Sequence, residues 1–263
     1  MKQPIEWPPA VCSISDALLV AAQDLVKNLK GRHFAPPVTH VYNPLVHAWE
    51  PFAAYTKKFG DSTKHTVFLG MNPGPFGMTQ TGVPFGEIAA VRDWMGVFAP
   101  VGRPAIEHPA RPIEGFDCPR SEVSGRRLWG WAAERFGSAD QFFRDHFVLN
   151  YCPLVFIEES GRNRTPDKLP VAEMAPVYAA CDGHLARVLE ILQPKWVIGV
   201  GGFAEKRLRE VAPRVAGGGA IKISSILHPS PASPAANRGW AEAVDARLQA
   251  LGILPPRASC PSS

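Results

Sequence analysis

Short apolar runs alternate with stretches of helical periodicity along most of this 263-residue chain. Apolar runs rich in β-branched or aromatic residues are typical of buried strands. Such runs occupy residues 66–69, 147–149, 196–200 and 220–227. Apolar residues at helical spacing predict helices over 15–30, 43–60, 88–95, 122–136, 171–192, 203–208 and 236–250.

The order of these elements favours an α/β fold. Strands that alternate with helices imply right-handed crossovers and a mostly parallel sheet of about four strands, covered by helices on both faces. No internal repeat or linker interrupts the pattern, and we therefore predict one domain for residues 1–263. Residues 99–121 are proline-rich and irregular, and they form either a surface crossing or part of a substrate wall. Residues 158–170 are predicted to form a polar loop.

The first strand runs into a loop that is rich in glycine and proline and reaches Glu87, the single charge in the stretch 66–87. Proline restricts the backbone and glycine lets it approach a ligand closely. Polar residues stand here among apolar ones, as in a shaped pocket; they are Asn72, Gln80 and Thr81 among Met71, Phe76, Met78 and Phe85. A stiff connection without chemistry is the alternative.

Composition narrows the class of protein only slightly. With 46% hydrophobic and 20% charged residues the chain is globular, and a net charge of +4 permits a polyanionic partner without demanding one. The five cysteines are scattered without a CxxC motif, which argues against a disulfide framework, a zinc site or an iron–sulfur cluster. We therefore expect none of these metal sites, and we predict a monomer.

The sequence also predicts the cellular location of the protein. No apolar run reaches the length of a membrane span, and the first residues lack a secretory core. We expect an intracellular protein, cytoplasmic in a bacterium or nuclear in a eukaryote.

Polar side chains follow three of the predicted strands, each with proline close behind. They are Asn72, Asn150 and His228. Because the carboxyl ends of parallel strands lie on one edge of a sheet, where open α/β folds bind ligands, we expect the three to meet in one cleft. Each alone is also a common structural residue.

Two amides and an imidazole suit a particular chemistry. A side-chain amide offers a donor beside an acceptor, which complements the N3–H and O4 edge of uracil, or the edge of cytosine if the amide is flipped. A histidine can donate a hydrogen bond to charge that develops on a departing base. The second amide can hold a water molecule through its oxygen.

At these residues the chain resembles the single-strand-selective monofunctional uracil-DNA glycosylases of the uracil-DNA glycosylase superfamily. The resemblance is carried by residues 70–78 (GMNPGPFGM), 80–87 (QTGVPFGE), 228–231 (HPSP) and 236–240 (ANRGW), with support from 91–94, 121–125 and 160–163. It spans roughly 42–254. The fold it implies is a three-layer α/β/α sandwich with a core at about 42–254 and the helix 15–30 packed on it.

The resemblance implies a role for each matching residue. Asn72 would position the attacking water and His228 would stabilise the departing base. The base-binding residues would be Met71, Gly74, Phe85 and Asn150, with the ring stacked on Phe85, the amide of Asn150 on the pairing edge, and small Gly74 near C5.

The resemblance also implies the substrate. It indicates hydrolysis of the N-glycosidic bond of uracil and of 5-modified uracils such as 5-hydroxymethyluracil, in single- and double-stranded DNA, with no strand cleavage and no cofactor. The residues expected to contact DNA or form the wedge are Pro73, Pro75, Pro229, Ser230, Pro231, Ala232, Ser233, Asn237 and Arg238. Residues from Pro166 onward would form a further phosphate-contacting loop.

Two positions depart from the pattern of the family, and alternative functions stay open. Ala232 stands where a basic wedge residue is expected, so either Arg238 supplies the charge or the grip on duplex DNA is weaker. Thr79 replaces an expected alanine, without an assigned function. The alternatives are a glycosylase for xanthine or hypoxanthine and a non-catalytic DNA-binding module. A hydrolase with Ser230 or Cys152 as nucleophile is disfavoured, because neither stands in a nucleophile motif.

Overall fold

The computed structural model describes residues 13–215 and 218–257, in which helices and strands alternate. The strands are β1 (Val38–Tyr42), β2 (Thr66–Gly70), β3 (His146–Asn150), β4 (Val155–Glu158), β5 (Asn163–Arg164), β6 (Trp196–Val200) and β7 (Lys222–Ile226). The α-helices are α1 (Ile14–Leu29), α2 (Pro44–His47), α3 (Trp49–Phe59), α4 (Met78–Thr81), α5 (Val123–Phe136), α6 (Ala139–Asp145), α7 (Val171–Leu192), α8 (Gly202–Val211) and α9 (Trp240–Ala250).

The main sheet has four parallel strands in the order β3-β2-β6-β7. Phe68 lies beside Ile198 in the register, and its ring packs against Trp131 of α5 and Phe142 of α6. The next residue along β6, Gly199, faces the opposite side, where a Cβ would collide with the backbone of α8. Helices therefore cover both faces, and the predicted three-layer α/β/α fold is confirmed.

A second, antiparallel sheet in the order β1-β4-β5 was not predicted. β1 mixes buried and exposed positions, and β5 is only two residues long. Such short segments carry little periodicity of their own, and pairing with β4 is what makes them strands. The predicted polar loop 158–170 therefore contains β5 and a 3₁₀ turn over Pro166–Lys168.

Several predicted helix boundaries were wrong. The helix at 43–60 divides into α2 and α3 at Ala48, whose backbone leaves the helical region. Residues 90–94 form a π-helical turn. α9 begins only at Trp240, because Gly239 has a φ of 127°. α1 is capped by the Ser13 hydroxyl rather than by residues 15 and 16, and α6 was not predicted.

The described residues contain neither a helix fit to span a membrane nor a cluster fit to hold a metal ion. None of the helices there is long and apolar enough to cross a membrane. Residues 13–215 and 218–257 contain no cluster of His, Cys, Asp and Glu arranged to hold a metal ion. Cys118, Cys152 and Cys181 are buried free thiols, whereas Cys12 and Cys260 lie outside the described residues.

Candidate active site

The carboxyl ends of β2 and β3 are joined beyond the sheet itself. The backbone N–H of Tyr151 donates to the carbonyl of Gly70, and that of Cys152 donates to the carbonyl of Met71, both at 2.9 Å. These bonds bring Asn72 and Asn150 to the same edge, as predicted.

His228 reaches this edge from β7, past the end of β6. Gly201 follows β6 with a φ of 92°, and a Cβ there would lie 3.2 Å from the Cβ of His228. The small residue lets the His228 loop pass close to the end of β6, towards the ring of Phe85. The ring centroids of Phe85 and His228 are 6.3 Å apart.

The three strand ends surround a cleft of about 320 Å³. All of the predicted catalytic and base-binding residues line it, namely Met71, Asn72, Gly74, Phe85, Asn150 and His228. Among the predicted DNA contacts, Pro73 and Ser230 line it as well. Its size and its mixture of apolar and polar walls suit a small planar ligand.

The orientation of the Asn72 amide is set by the backbone of a neighbouring loop. Its nitrogen Nδ2 donates to the carbonyl of Leu154 at 3.1 Å and, over a longer distance of 3.4 Å, to that of Pro73. The nitrogen is thereby engaged, and the oxygen Oδ1 is the atom of the amide that can accept a hydrogen bond from water.

The tautomer of His228 follows from one hydrogen bond. The backbone N–H of Ser230 donates to its Nδ1 at 3.1 Å, so Nδ1 is an acceptor. Burial lowers the pKa of the imidazole below its ordinary value, which favours the neutral ring near pH 7. The proton of a neutral ring must then lie on Nε2, which makes Nε2 a hydrogen-bond donor.

Phe85 has a backbone conformation that residues with a side chain rarely adopt, with a φ of 53°. Its carbonyl accepts hydrogen bonds from the Trp129 indole at 2.8 Å and from the Glu87 N–H at 2.7 Å. A side chain at Gly125 would strike the same carbonyl. These contacts hold a strained residue in place, which is common at functional sites.

The amide of Asn150 lies over Gly70, where any Cβ would collide with its Oδ1 and come within 2.7 Å of the Phe85 ring. Its Nδ2 donates to the sulfur of Met78 at 3.3 Å. A thioether accepts but cannot donate, so the sulfur favours the orientation with nitrogen towards Met78. The contact thus favours one orientation of the amide, which is what the predicted role in telling uracil from cytosine would need.

Gln80 and Thr81, expected among the pocket groups, do not line the cleft and instead stabilise the loop. Gln80 Nε2 donates to the Pro112 carbonyl at 3.0 Å, and Thr81 Oγ1 donates to the Gly86 carbonyl at 3.0 Å. Thr79 acts in the same way, because its hydroxyl donates to the Gly74 carbonyl at 2.6 Å. Residues 99–121 are attached to the loop through Gln80 but do not line the cleft, which favours the surface crossing.

The loop after His228 is held by Arg127 of α5, a residue that the sequence did not single out. Its guanidinium donates to the carbonyls of Pro229 and Ser230 at 3.1 and 3.3 Å, and to Oδ1 of Asn237 at 2.7 Å. Asn237 in turn donates to the Pro231 carbonyl at 3.0 Å. These hydrogen bonds tie residues 229–237, here called the ledge, to α5 beside the cleft.

The remaining predicted DNA contacts lie outside the cleft lining. Ala232 and Arg238 are exposed on the loop, as are Pro231 and Asn237, and Ser233 is half-buried. Pro229 is buried and Pro75 is half-buried. Exposed positions on a fixed loop are accessible to DNA, whereas buried Pro229 is positioned to support the loop.

Met78, which the sequence placed in the pocket, also lines the cleft. The sequence analysis missed four other residues of the lining, namely Glu122, Ser124, Asn163 and Thr165. Glu122 and Asn163 belong to segments that carry the resemblance, but no local pattern indicated that their side chains turn inward. Their position depends on how α5 and β5 pack against the loop after β2.

Comparisons with known proteins agree with this geometry. The family model of the uracil DNA glycosylase superfamily matches residues 57–251. The chain belongs to the uracil-DNA glycosylase superfamily. It is 45% identical over 247 residues to a mouse protein named single-strand selective monofunctional uracil DNA glycosylase, covering 94% of this chain and 88% of the mouse protein. The similarly named cattle protein is 43% identical, covering 95% of this chain and 92% of that protein.

A solved structure, the wild-type SMUG2 of Pedobacter heparinus, superimposes with a TM-score of 0.68. It is 19% identical and covers 92% of this chain and 100% of its own, so the likeness concerns the fold alone. Membership in the superfamily confirms the predicted resemblance and the predicted class of enzyme, a glycosylase. The roles of individual residues stay predictions.

Proposed function

We propose that this protein hydrolyses the N-glycosidic bond of uracil in DNA and leaves an abasic site without cutting the strand. The observation that carries the proposal is the meeting of Asn72, Phe85, Asn150 and His228 around one cleft. The hydrogen bonds of Asn72, Asn150 and His228 support the proposal, because they leave an acceptor on Asn72 and a donor on His228 and favour one orientation of the Asn150 amide.

The flipped base would stack on the ring of Phe85. The amide of Asn150 would accept from N3–H and donate to O4. On the opposite side, Nε2–H of His228 would donate to O2 as negative charge develops on the leaving base. Oδ1 of Asn72 would hold the attacking water.

An amide cannot take a proton from that water as a carboxylate would. In this proposal, catalysis therefore depends mainly on stabilising the departing base and on a sugar with cationic character in the transition state. The donor on His228 carries the larger share of the rate, and Asn72 acts by positioning.

We further propose that single-stranded DNA is the better substrate and that duplex DNA is also accepted. Flipping a base out of a duplex costs a few kcal/mol, and flipping it out of a single strand costs less. The ledge offers Ala232 where a longer side chain would fill the gap left by the base. Arg238, exposed on the same loop, supplies a positive charge for phosphate.

Acceptance of 5-hydroxymethyluracil is part of the proposal. The wall of the cleft at Gly74 has no side chain, which leaves room for a small substituent on the base. A monomeric state, an intracellular location and the absence of a metal or cofactor stay predictions.

The function is tested with labelled single-stranded and duplex oligonucleotides that carry one uracil. After incubation and alkali, we expect cleavage at the uracil with the wild-type protein, no cleavage without alkali, and about a hundred-fold slower release with Asn72→Ala. Equal rates for Asn72→Ala and wild type would contradict the positioning role. Release of xanthine or hypoxanthine alone would favour the shifted specificity, and binding without any release would favour a DNA-binding module.

Replacing Ala232 with arginine should raise duplex activity relative to single-strand activity by about tenfold, because a long cationic side chain can enter the stack and contact phosphate. Ala235→Arg is the matched control, since Ala235 is exposed on the same loop and receives the same charge. The ratio of duplex to single-strand rate constants is the measurement. An equal rise in both variants would attribute the effect to charge alone and refute the wedge interpretation.

A further inference from the structure

Glu122 immediately precedes α5, in the capping position, but its side chain makes no capping hydrogen bond. The carboxyl group turns into the cleft instead. Its Oε1 lies 3.2 Å from where a Cβ on Gly74 would be, and a Cβ on Gly77 would collide with its Oε2. Oε2 is buried, and no described residue donates or accepts a hydrogen bond there. Oε2 is closed off against Gly77, so Oε1, which also has no hydrogen bond from a described residue, is the oxygen that faces the cleft and can contact a ligand group.

The neighbouring carboxyl group of Glu87 has hydrogen-bond donors that the Glu122 carboxyl lacks. Glu87 accepts hydrogen bonds from the Ser121 hydroxyl at 3.0 Å and from the Ala90 N–H at 2.9 Å, as a carboxylate does. Glu122 has no such donors. Burial, together with the like charge of Glu87, raises the pKa of Glu122 to about 7. Arg126 does not offset this, because its guanidinium contacts the Ser121 hydroxyl.

In the part of the chain that the structure describes, no cation is among the groups that shift the pKa of Glu122. Residues 71–78 contain no titratable side chain. Arg164 of β5 is paired with Glu158 at 2.8 Å. His228, across the cleft, has its pKa lowered by burial and is neutral near pH 7. Glu122 therefore exchanges between a neutral acid and a carboxylate in the physiological range.

Contacts along the wall of the cleft place Glu122 relative to the base, if the base binds as in the proposed function. Asn150 contacts Met78, and the adjacent Gly77 contacts Glu122, so the amide and the carboxyl are neighbours on one wall. In the proposed binding mode, Asn150 contacts N3–H and O4, and His228 contacts O2. C5 is bonded to C4 and lies opposite C2, the atom that carries O2. A group beside Asn150 and away from His228 therefore faces C5.

We propose that Glu122 reads the substituent on C5 of the flipped base. The protonated carboxyl donates a hydrogen bond to a formyl or hydroxymethyl oxygen. The carboxylate still accepts one from a hydroxymethyl group, but it repels a formyl group, which has no proton to donate. This inference rests on the proposed function and adds a residue that determines specificity.

The test compares release of uracil, 5-hydroxymethyluracil and 5-formyluracil from single-stranded oligonucleotides at pH 6 and pH 8. For the wild type, we expect the rate ratio of 5-formyluracil to uracil to fall by about tenfold as the pH rises, the change in protonated fraction for a group with a pKa near 7. The ratio of 5-hydroxymethyluracil to uracil should stay within about twofold.

Glu122→Gln keeps a donor at every pH, so the ratio of its 5-formyluracil rate to its own uracil rate should change much less with pH than the wild-type ratio does. Any pH dependence of the 5-formyluracil ratio that persists in Glu122→Gln arises from the base itself. Glu50→Gln, an exposed position on α3, is the matched control and should behave as wild type. Glu122→Gln should melt at least as high as the wild type at pH 8, because glutamine removes a desolvated carboxylate.

The outcomes separate the possibilities. If Glu122→Gln shows the same pH dependence as the wild type, Glu122 does not read C5. If the variant loses uracil release as well, the carboxyl acts in hydrolysis and the specificity role is refuted. Failure of the wild type to release uracil at either pH would refute the proposed function, and the role of Glu122 with it.

Discussion

Replacing His228 with alanine is expected to slow uracil release by about 100- to 1,000-fold, with little change in DNA binding. In the proposed function this side chain provides the donor for the departing base, and loss of one donor to a developing anion typically costs this much. Single-turnover rate constants with uracil-containing single strands, together with binding to an uncleavable oligonucleotide, are the measurements. His33→Ala is the control, because His33 is exposed outside the cleft.

A variant that keeps an N–H donor sharpens this result. His228→Gln should retain more activity than His228→Ala, since its amide can still donate to O2. Activity of His228→Ala within threefold of the wild type would refute the catalytic assignment. Equal loss in both variants would indicate that shape at this position, rather than the donor, matters.

The protonation state of His228 can be observed directly. Nitrogen chemical shifts of the labelled imidazole should show the neutral ring with its proton on Nε2 from pH 6.5 to 8, because burial lowers its pKa and Ser230 occupies Nδ1. His228 should therefore cause no loss of activity as pH rises through this window. A ring that titrates near pH 7 would contradict this assignment.

Replacing Asn150 with aspartate is expected to reduce uracil release by about 100-fold and to weaken the preference for uracil over cytosine. An ionised aspartate accepts from N3–H but repels O4, whereas the amide donates to O4. Leaving a buried polar edge unpaired costs about 1–3 kcal/mol for each group, and 1.4 kcal/mol corresponds to a tenfold change.

Release from matched oligonucleotides that carry uracil or cytosine measures this effect, and Asn28→Asp is the control. Asn28 is exposed on α1, so the control adds the same charge away from the cleft. An unchanged ratio of uracil to cytosine release in Asn150→Asp would remove the base-reading role. A fall on both bases without a change in their ratio would show that the amide contributes binding but not discrimination.

Much of the site could be predicted because it follows from the ends of strands. Asn72 and Asn150 each lie at or just beyond a strand with strong apolar character, and His228 follows a third such strand. Parallel strands bring their carboxyl ends to one edge whatever the details of packing. The long motif after β2 then supplied the resemblance that the family comparison confirmed.

Other features could not be predicted, because no local signal encodes them. β1 and β5 become strands only through pairing with β4, and the sequence reading gave them no element. Arg127 looks like a surface residue of a helix until the loop after His228 folds against it. Glu122 looks like an ordinary residue at a helix start.

The sequence by itself determined the order of helices and strands, the α/β class, the superfamily resemblance and the strand-end residues of the cleft. These depend on hydrophobic periodicity and on continuous motifs, both of which are local. Only the tertiary structure decided which polar side chains face the cleft. Gln80 and Thr81 turn to the backbone and Glu122 turns into the cleft, because the direction and burial of a side chain depend on contacts between segments far apart in the chain.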